Sequence, residues 1–169
     1  MNIAVKPNVR HILILSVLVL TPLSVAVGQT TGKVKSKGTA KDETAIKIVI
    51  TDLIGEWNRH EVKAFSMLFA DNADFIDIVG PITEGRAEIE KLHARLFGTI
   101  FKESHVEPTG LRIRFLKSDV AAVDSTWGVT GYIDPSDNKH SLKKAVMIVS
   151  FIMIKNKGRW SIAVMHKLI

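Results

Sequence analysis

An α+β fold, with helices first and an antiparallel sheet after them, is what this 169-residue chain predicts. Two patterns point there. Apolar residues recur at helical spacing only up to about residue 101, and a single strand interrupts them. From residue 111 onward the pattern changes to alternation with a period of two, broken by short turn sequences. Helices segregated from an antiparallel sheet define the α+β class. No internal repeat competes with that reading.

The elements follow in order. Ile46, Val49, Ile50, Leu53 and Trp57 make an amphipathic helix over residues 44–59, with Asp42 and Glu43 favouring its start electrostatically. A second short helix carries Val62, Phe65 and Leu68 or Phe69 on one face, and Ala70-Asp71-Asn72 ends it with turn chemistry. A strand over 73–79 is followed by a loop marked by Gly80, Pro81 and Gly85. A third helix over 86–101 has Ile89, Leu92, Leu96, Ile100 and either Phe97 or Phe101 as its stripe. The remainder reads as a four-stranded meander: 111–116, 120–132, 142–154 and 159–168. Gly128 and Gly131 suggest bends or a bulge in the second of these. Residues 134–138 form a loop, and Asn156-Lys157-Gly158 is a hairpin turn.

The first 28 residues read as a secretory signal peptide and not as part of the fold. Lys6, Arg10 and His11 form a basic head, residues 12–27 are almost wholly apolar, and Ala26-Val27-Gly28 is a small-x-small cleavage site. The apolar run is short for a spanning helix, which needs roughly 20 residues. Cleavage leaves a secreted or periplasmic protein with no stable membrane anchor. Residues 29–42 read as a flexible basic tether, with Lys33, Lys35, Lys37 and Lys41 among glycines and hydroxyl residues. The domain proper spans 43–169. The net charge of +6 is concentrated in leader and tether, so it implies no nucleic-acid partner. A chain without cysteine of this length can still bury a full core in an oxidising compartment.

A set of residues in this order resembles a known family. They are Trp57-Asn58, Ala64, Leu68-Phe69-Ala70, Ala73-Asp74-Phe75-Ile76-Asp77, Gly80, Gly85-Arg86, Ile89, His93, Phe97, Val120-Ala121-Ala122-Val123 with Trp127, and Gly158-Arg159-Trp160-Ser161-Ile162 with His166. Together they resemble the SnoaL-like group, and especially proteins of the SgcJ/EcaC type, within the superfamily of nuclear transport factor-like, cystatin-like cones. The resemblance implies three helices packed in a highly curved antiparallel sheet, an internal pocket and a homodimer formed through the outer sheet face. It also implies a range of functions, from isomerases and cyclases to binding modules, with SgcJ/EcaC-type proteins often labelled oxidoreductases.

The candidate site rests on two polar groups placed on apolar faces. Asp77 shares a strand face with Phe75, where a carboxyl group is costly unless hydrogen-bonded, solvated or protonated, and where a raised pKa suits acid or base work. The string Asp77-Ile78-Val79-Gly80 is similar to the strand end that holds the base of cone-fold ketosteroid isomerases, but the tyrosine and acid of their oxyanion hole have no counterpart here. The alternative for Asp77 is a rim carboxylate capping a loop amide. His93 lies within the stripe of Leu92, Leu96 and Phe97. It is either the partner of Asp77 or a satisfied core histidine. His166 shares a face with Trp160, Ile162 and Val164, as a second pocket histidine or a residue at a dimer seam. Trp57, Phe75 and Trp127 offer flat walls to a ring-containing ligand, or are plain core aromatics. Arg86, after Gly85, either meets an acidic group at the pocket rim or pairs with a loop carboxylate.

No phosphate loop, dinucleotide fingerprint, cysteine nucleophile or metal-spaced cluster is present in the sequence, so neither a cofactor nor a metal is expected. The reading is an exported homodimer that binds a small hydrophobic or aromatic molecule and, in its enzymatic form, transforms it by acid/base chemistry through Asp77 and His93. The alternative is a non-enzymatic dimeric carrier or assembly module.

Overall fold

The structure, a computed structural model, describes residues 38–168 apart from 79, 135 and 137–141. The leader and most of the tether lie outside the described residues. Helix α1 spans Ala40–Arg59, four residues longer at its start than the apolar pattern indicated. Thr39 explains the extension. Its hydroxyl accepts from the Asp42 amide, and the Asp42 carboxylate accepts from the Thr39 amide, a reciprocal box that satisfies two orphan donors. The tether therefore ends at Gly38, which lies so close to the Phe115 ring that a β-carbon there would overlap it.

Helix α2 (Val62–Ser66) leads into β1 (Phe69–Ile76), a short β2 (Thr83–Glu84) and α3 (Arg86–Phe97). Then come β3 (His105–Lys117), β4 (Val120–Ile133), β5 (Leu142–Asn156) and β6 (Arg159–Leu168). The six strands form one sheet in the order β2-β1-β6-β5-β4-β3. All pairings are antiparallel except one: β1 runs parallel to β6, so the sheet is mixed. That pairing joins the embedded strand to the last one and brings the ends of both strands, Ile76 and His166, side by side.

The period-two pattern is clearest in β4, where Ala121, Val123, Ser125, Trp127 and Val129 are buried and their neighbours are less so. On β5 the inner residues are Met147, Val149, Phe151 and Met153. Against this face pack Ile46, Ile50, Leu53 and Trp57 of α1 and Ile89 and Phe97 of α3. Gly131 sits at the bulge of β4 with φ 72°, where a β-carbon would strike the Glu103 carbonyl, whereas Gly128 stays in register opposite Val146. Lys157 and Gly158 both have positive φ, the backbone of the tight turn that joins β5 to β6.

Candidate functional site

Strand β1 delivers Phe75 to the core and then releases the chain at Asp77, just beyond its last ladder residue. Asp77 is a quarter exposed, at 25 % for its side chain. With Ile78 it forms part of the wall of a cavity of about 360 Å3 between α3 and the β4–β5 end of the sheet. The rest of the wall is largely apolar: Leu92, Leu96, Ile100, Phe101, Ala145 and Met147, with Tyr132 and Arg95 as polar additions.

Oδ1 of Asp77 accepts from the Ile78 amide at 2.8 Å, so the loop-capping alternative holds for that oxygen. The same oxygen lies 3.0 Å from Nζ of Lys167. Among the described residues no hydrogen bond reaches Oδ2, which leaves it for a ligand.

Lys167 is the residue that sequence reasoning missed. It is 1 % exposed, and its ammonium lies over the rings of Phe75, Phe101 and Trp57 at 4.9, 5.4 and 5.7 Å from their centroids. Burial pushes its pKa down, against the opposing pull of the Asp77 carboxylate. The reason it was missed is a single extra residue. Ile152 pairs with Val164 but Met153 pairs with Ile162, so β6 bulges at Ala163. A slip of one residue exchanges the faces of a strand. Trp160 and Ile162 point inward before the bulge, and Met165 and Lys167 point inward after it. His166 is thereby turned to the opposite face, beside Ser150, and not toward the cavity as the uninterrupted alternation implied. No local sequence signal announces the bulge. A lysine two residues beyond Met165 on an apolar strand is the only clue.

His93 is fully buried on the inner face of α3. Nδ1 lies 2.8 Å from the Ile89 carbonyl one turn earlier, which places the ring proton on Nδ1 and the lone pair on Nε2. Nε2 has no partner. The rings of Phe65, Phe75, Phe97 and Trp57 surround it, with centroids 4.4, 4.9, 5.7 and 6.1 Å away. Burial lowers its pKa to about 4, with the Lys167 charge acting in the same direction and the Ile89 carbonyl and Asp77 opposing it. The imidazole is neutral at physiological pH. It feels both charges of the pair but does not line the cavity.

The other expected site residues stand elsewhere. Trp57, Phe75 and Trp127 are core, none of them on the cavity wall. The two indoles are satisfied internally: Trp57 donates to Ser104 and Trp127 to Ser125, both hydroxyls passing the bond on to a backbone carbonyl. Such closed networks fix a core and leave nothing for a ligand. Arg86 donates through Nε to the Phe69 carbonyl and pairs with Asp71 at 2.8 Å, so it staples α3 to β1, away from Asp77. Among the described residues no three metal-binding side chains converge.

Solved structures of similar shape support the same architecture. A Caulobacter vibrioides protein with a cystatin-like fold is 21 % identical, with a TM-score of 0.69 over 75 % of this chain and 88 % of its own. A ketosteroid isomerase-like protein from Erwinia carotovora atroseptica is 17 % identical, with a TM-score of 0.65 over 76 % of this chain and 96 % of its own. LinA is 13 % identical, with a TM-score of 0.69 over 76 % of this chain and 85 % of its own. At these identities the likeness is one of fold. No protein of curated function matches the chain. The SnoaL-like domain family matches residues 50–162, a span that runs from the middle of α1 to the inward-facing Ile162 of β6. By that match over most of its length, the chain belongs to the SnoaL-like domain family, on a cystatin-like fold.

Proposed function

We propose that this protein binds a small, ring-containing apolar molecule in the cavity between α3 and the sheet, and uses Asp77 as the polar contact and general base. One observation carries the reading: a carboxylate on a largely apolar wall around a cavity of about 360 Å3, a volume suited to a compact organic ligand. Lys167 holds the carboxylate in place from 3.0 Å, and a carboxylate facing the cavity is the group that would accept a proton from a ligand C–H or O–H. A ketosteroid isomerase-like protein and a Streptomyces avermitilis protein described as a dehydratase share the fold.

The rival reading is a carrier without chemistry. It is favoured by the aromatic seal around His93, which keeps the imidazole from touching a ligand in the cavity. Export through residues 1–28 and dimerisation through the outer face of β5 complete the proposal. Val146 and Ile148 are 68 % and 50 % exposed there, an apolar patch that a two-fold partner would cover.

Mass spectrometry of the native protein released under mild conditions tests the binding claim. A single small apolar compound is expected with the wild type and not with Leu96→Trp, which fills the cavity. A protein that carries no such compound, and whose melting temperature ignores a panel of ring-containing alcohols and ketones, overturns it. N-terminal sequencing and light scattering test the other two claims; an intact Met1 or a monomer at micromolar concentration defeats each in turn.

A further inference from the structure

The reading above uses Asp77 and leaves Lys167 as a counter-ion. A buried lysine is an expensive counter-ion, since an ammonium gives up its hydration even when it is paired. The arrangement around Lys167 suggests a larger role. Nζ touches two groups that also form the cavity wall: the Asp77 carboxylate at 3.0 Å and the Phe101 ring. Asp77 is partly exposed and lies just past the end of β1, so its carboxylate is reached from the cavity side.

We propose that Lys167 is a carbonyl-reactive amine, and that the cavity takes an aldehyde or ketone bearing an apolar ring, which Lys167 holds as an imine. The proposal rests on the binding reading and names its substrate class.

The chemistry balances within the pair. The Lys167 ammonium gives a proton to the Asp77 carboxylate, which frees the nitrogen lone pair. Nitrogen attacks the carbonyl carbon, the C=O π-pair moves to oxygen, and a proton passes from nitrogen to that oxygen to give a neutral carbinolamine. The Asp77 carboxylic acid then protonates the hydroxyl group, water leaves, and the nitrogen lone pair closes the C=N bond. An iminium paired with the Asp77 carboxylate and one water molecule are formed, with no oxidant or reductant consumed. Burial favours the neutral amine that the first step requires, and the aromatic faces of Phe75 and Trp57 stabilise the cation that results. Apolar walls at Leu92, Leu96 and Met147 suit the ring of the ligand.

Reductive trapping decides the matter. The full-length protein is incubated at neutral pH with benzaldehyde and cyanoborohydride, digested and mapped by mass spectrometry. Lys167 is expected to gain the mass of the aldehyde less one oxygen, and to do so faster than exposed Lys102 and Lys117, because burial beside Asp77 and the cavity favours the free amine. Asp77→Asn should slow this labelling by about 100-fold, the usual loss on removing a general acid or base. Lys167→Arg keeps the charge and should abolish labelling at that position; the wild-type map stands alone if the variant does not fold. Labelling of Lys167 no faster than of Lys102 overturns the proposal. Benzyl alcohol, which cannot form an imine, separates the two claims: a melting-temperature shift without trapping defeats the imine alone, and the absence of both defeats the binding reading as well.

Discussion

Strand β6 has a lysine–carboxylate pair near each end, and the two pairs are built from the same parts to different purposes. At its start, Asp42 meets Lys155 at 2.9 Å and the Trp160 indole at 3.0 Å. At its end, Asp77 meets Lys167 at 3.0 Å with the Trp57 ring nearby. In the first cluster the bonds close. Asp42 accepts from Thr39, Lys155 and Trp160 together, which holds its carboxyl well below the usual range, and Lys155 remains partly in water. In the second cluster they do not close. Among the described residues, Asp77 spends one oxygen twice and the other makes no hydrogen bond, Lys167 is sealed from water, and His93 near them has an unpartnered nitrogen. Native proteins leave few buried polar atoms unsatisfied, and the Nε2 of His93 is one of them. The closed cluster anchors α1 to the sheet; the open one is the site we propose.

The largest test of this contrast is Asp77→Asn. It leaves the Lys167 ammonium buried without its charge partner, and the loss of one member of a buried pair costs about 3–5 kcal/mol. This substitution therefore mixes structure with function. Adding Lys167→Met removes the orphaned charge, and the double variant is expected to recover to within about 1.5 kcal/mol of the wild type, as volume-conserving core swaps do, while ligand binding stays lost. Chemical denaturation of the two single variants and the double variant gives the cycle. A double variant no more stable than Asp77→Asn would show that Lys167 is not the cause of the loss.

The next effect comes from His93. Its folded pKa of about 4 lies below the ordinary 6.5, so the folded state prefers the neutral ring. The stability this contributes is fully present above pH 6.5 and is lost as pH falls from there toward 4, where both states become protonated. The span corresponds to about 3 kcal/mol. His93→Gln should flatten that part of the stability profile. A wild-type melting temperature that stays constant between those two pH values would mean that the imidazole reaches solvent in the native protein.

The contrast between the clusters also explains what the sequence made legible. Most helices and strands followed from periodicity because burial here is one-sided: Ile46, Ile50, Leu53 and Trp57 on α1, and alternate residues of β4, face the core with no interruption, whereas residues 69–72, which read as the end of a helix and a turn, form the start of β1. Asp77 and His93 stood out because each breaks such a pattern. Lys167 did not, because the bulge at Ala163 moved it from the outer phase to the inner one, and a pattern of period two carries no record of an inserted residue. The parallel β1–β6 pairing was hidden for a related reason, since nothing local in residues 69–76 specifies a partner some 90 positions away. Trp57 and Trp127 looked like ligand walls because a sequence does not reveal that Ser104 and Ser125 already take their N–H groups. The start of α1, by contrast, was readable: Thr39 followed by Asp42 is a capping pattern, and only the lack of apolar residues in its first turn argued for a later start.

That capping pattern supplies the smallest effect and the control for the rest. Thr39→Ala removes the hydroxyl that accepts from the Asp42 amide and donates to its carboxylate, so the helix loses one arm of its box. Loss of an N-cap residue costs about 1 kcal/mol. The Asp42 carboxylate keeps Lys155 and Trp160, so the anchor between α1 and the sheet should survive, with fraying confined to the first turn of the helix. Hydrogen exchange should quicken at the amides of residues 40–43 and nowhere near Asp77. Ligand binding and the trapping of Lys167 should be unchanged, because nothing in the closed cluster contacts the cavity. If Thr39→Ala weakens binding as much as Asp77→Asn does, the two ends of β6 are energetically coupled, and the division between an anchoring end and a binding end fails.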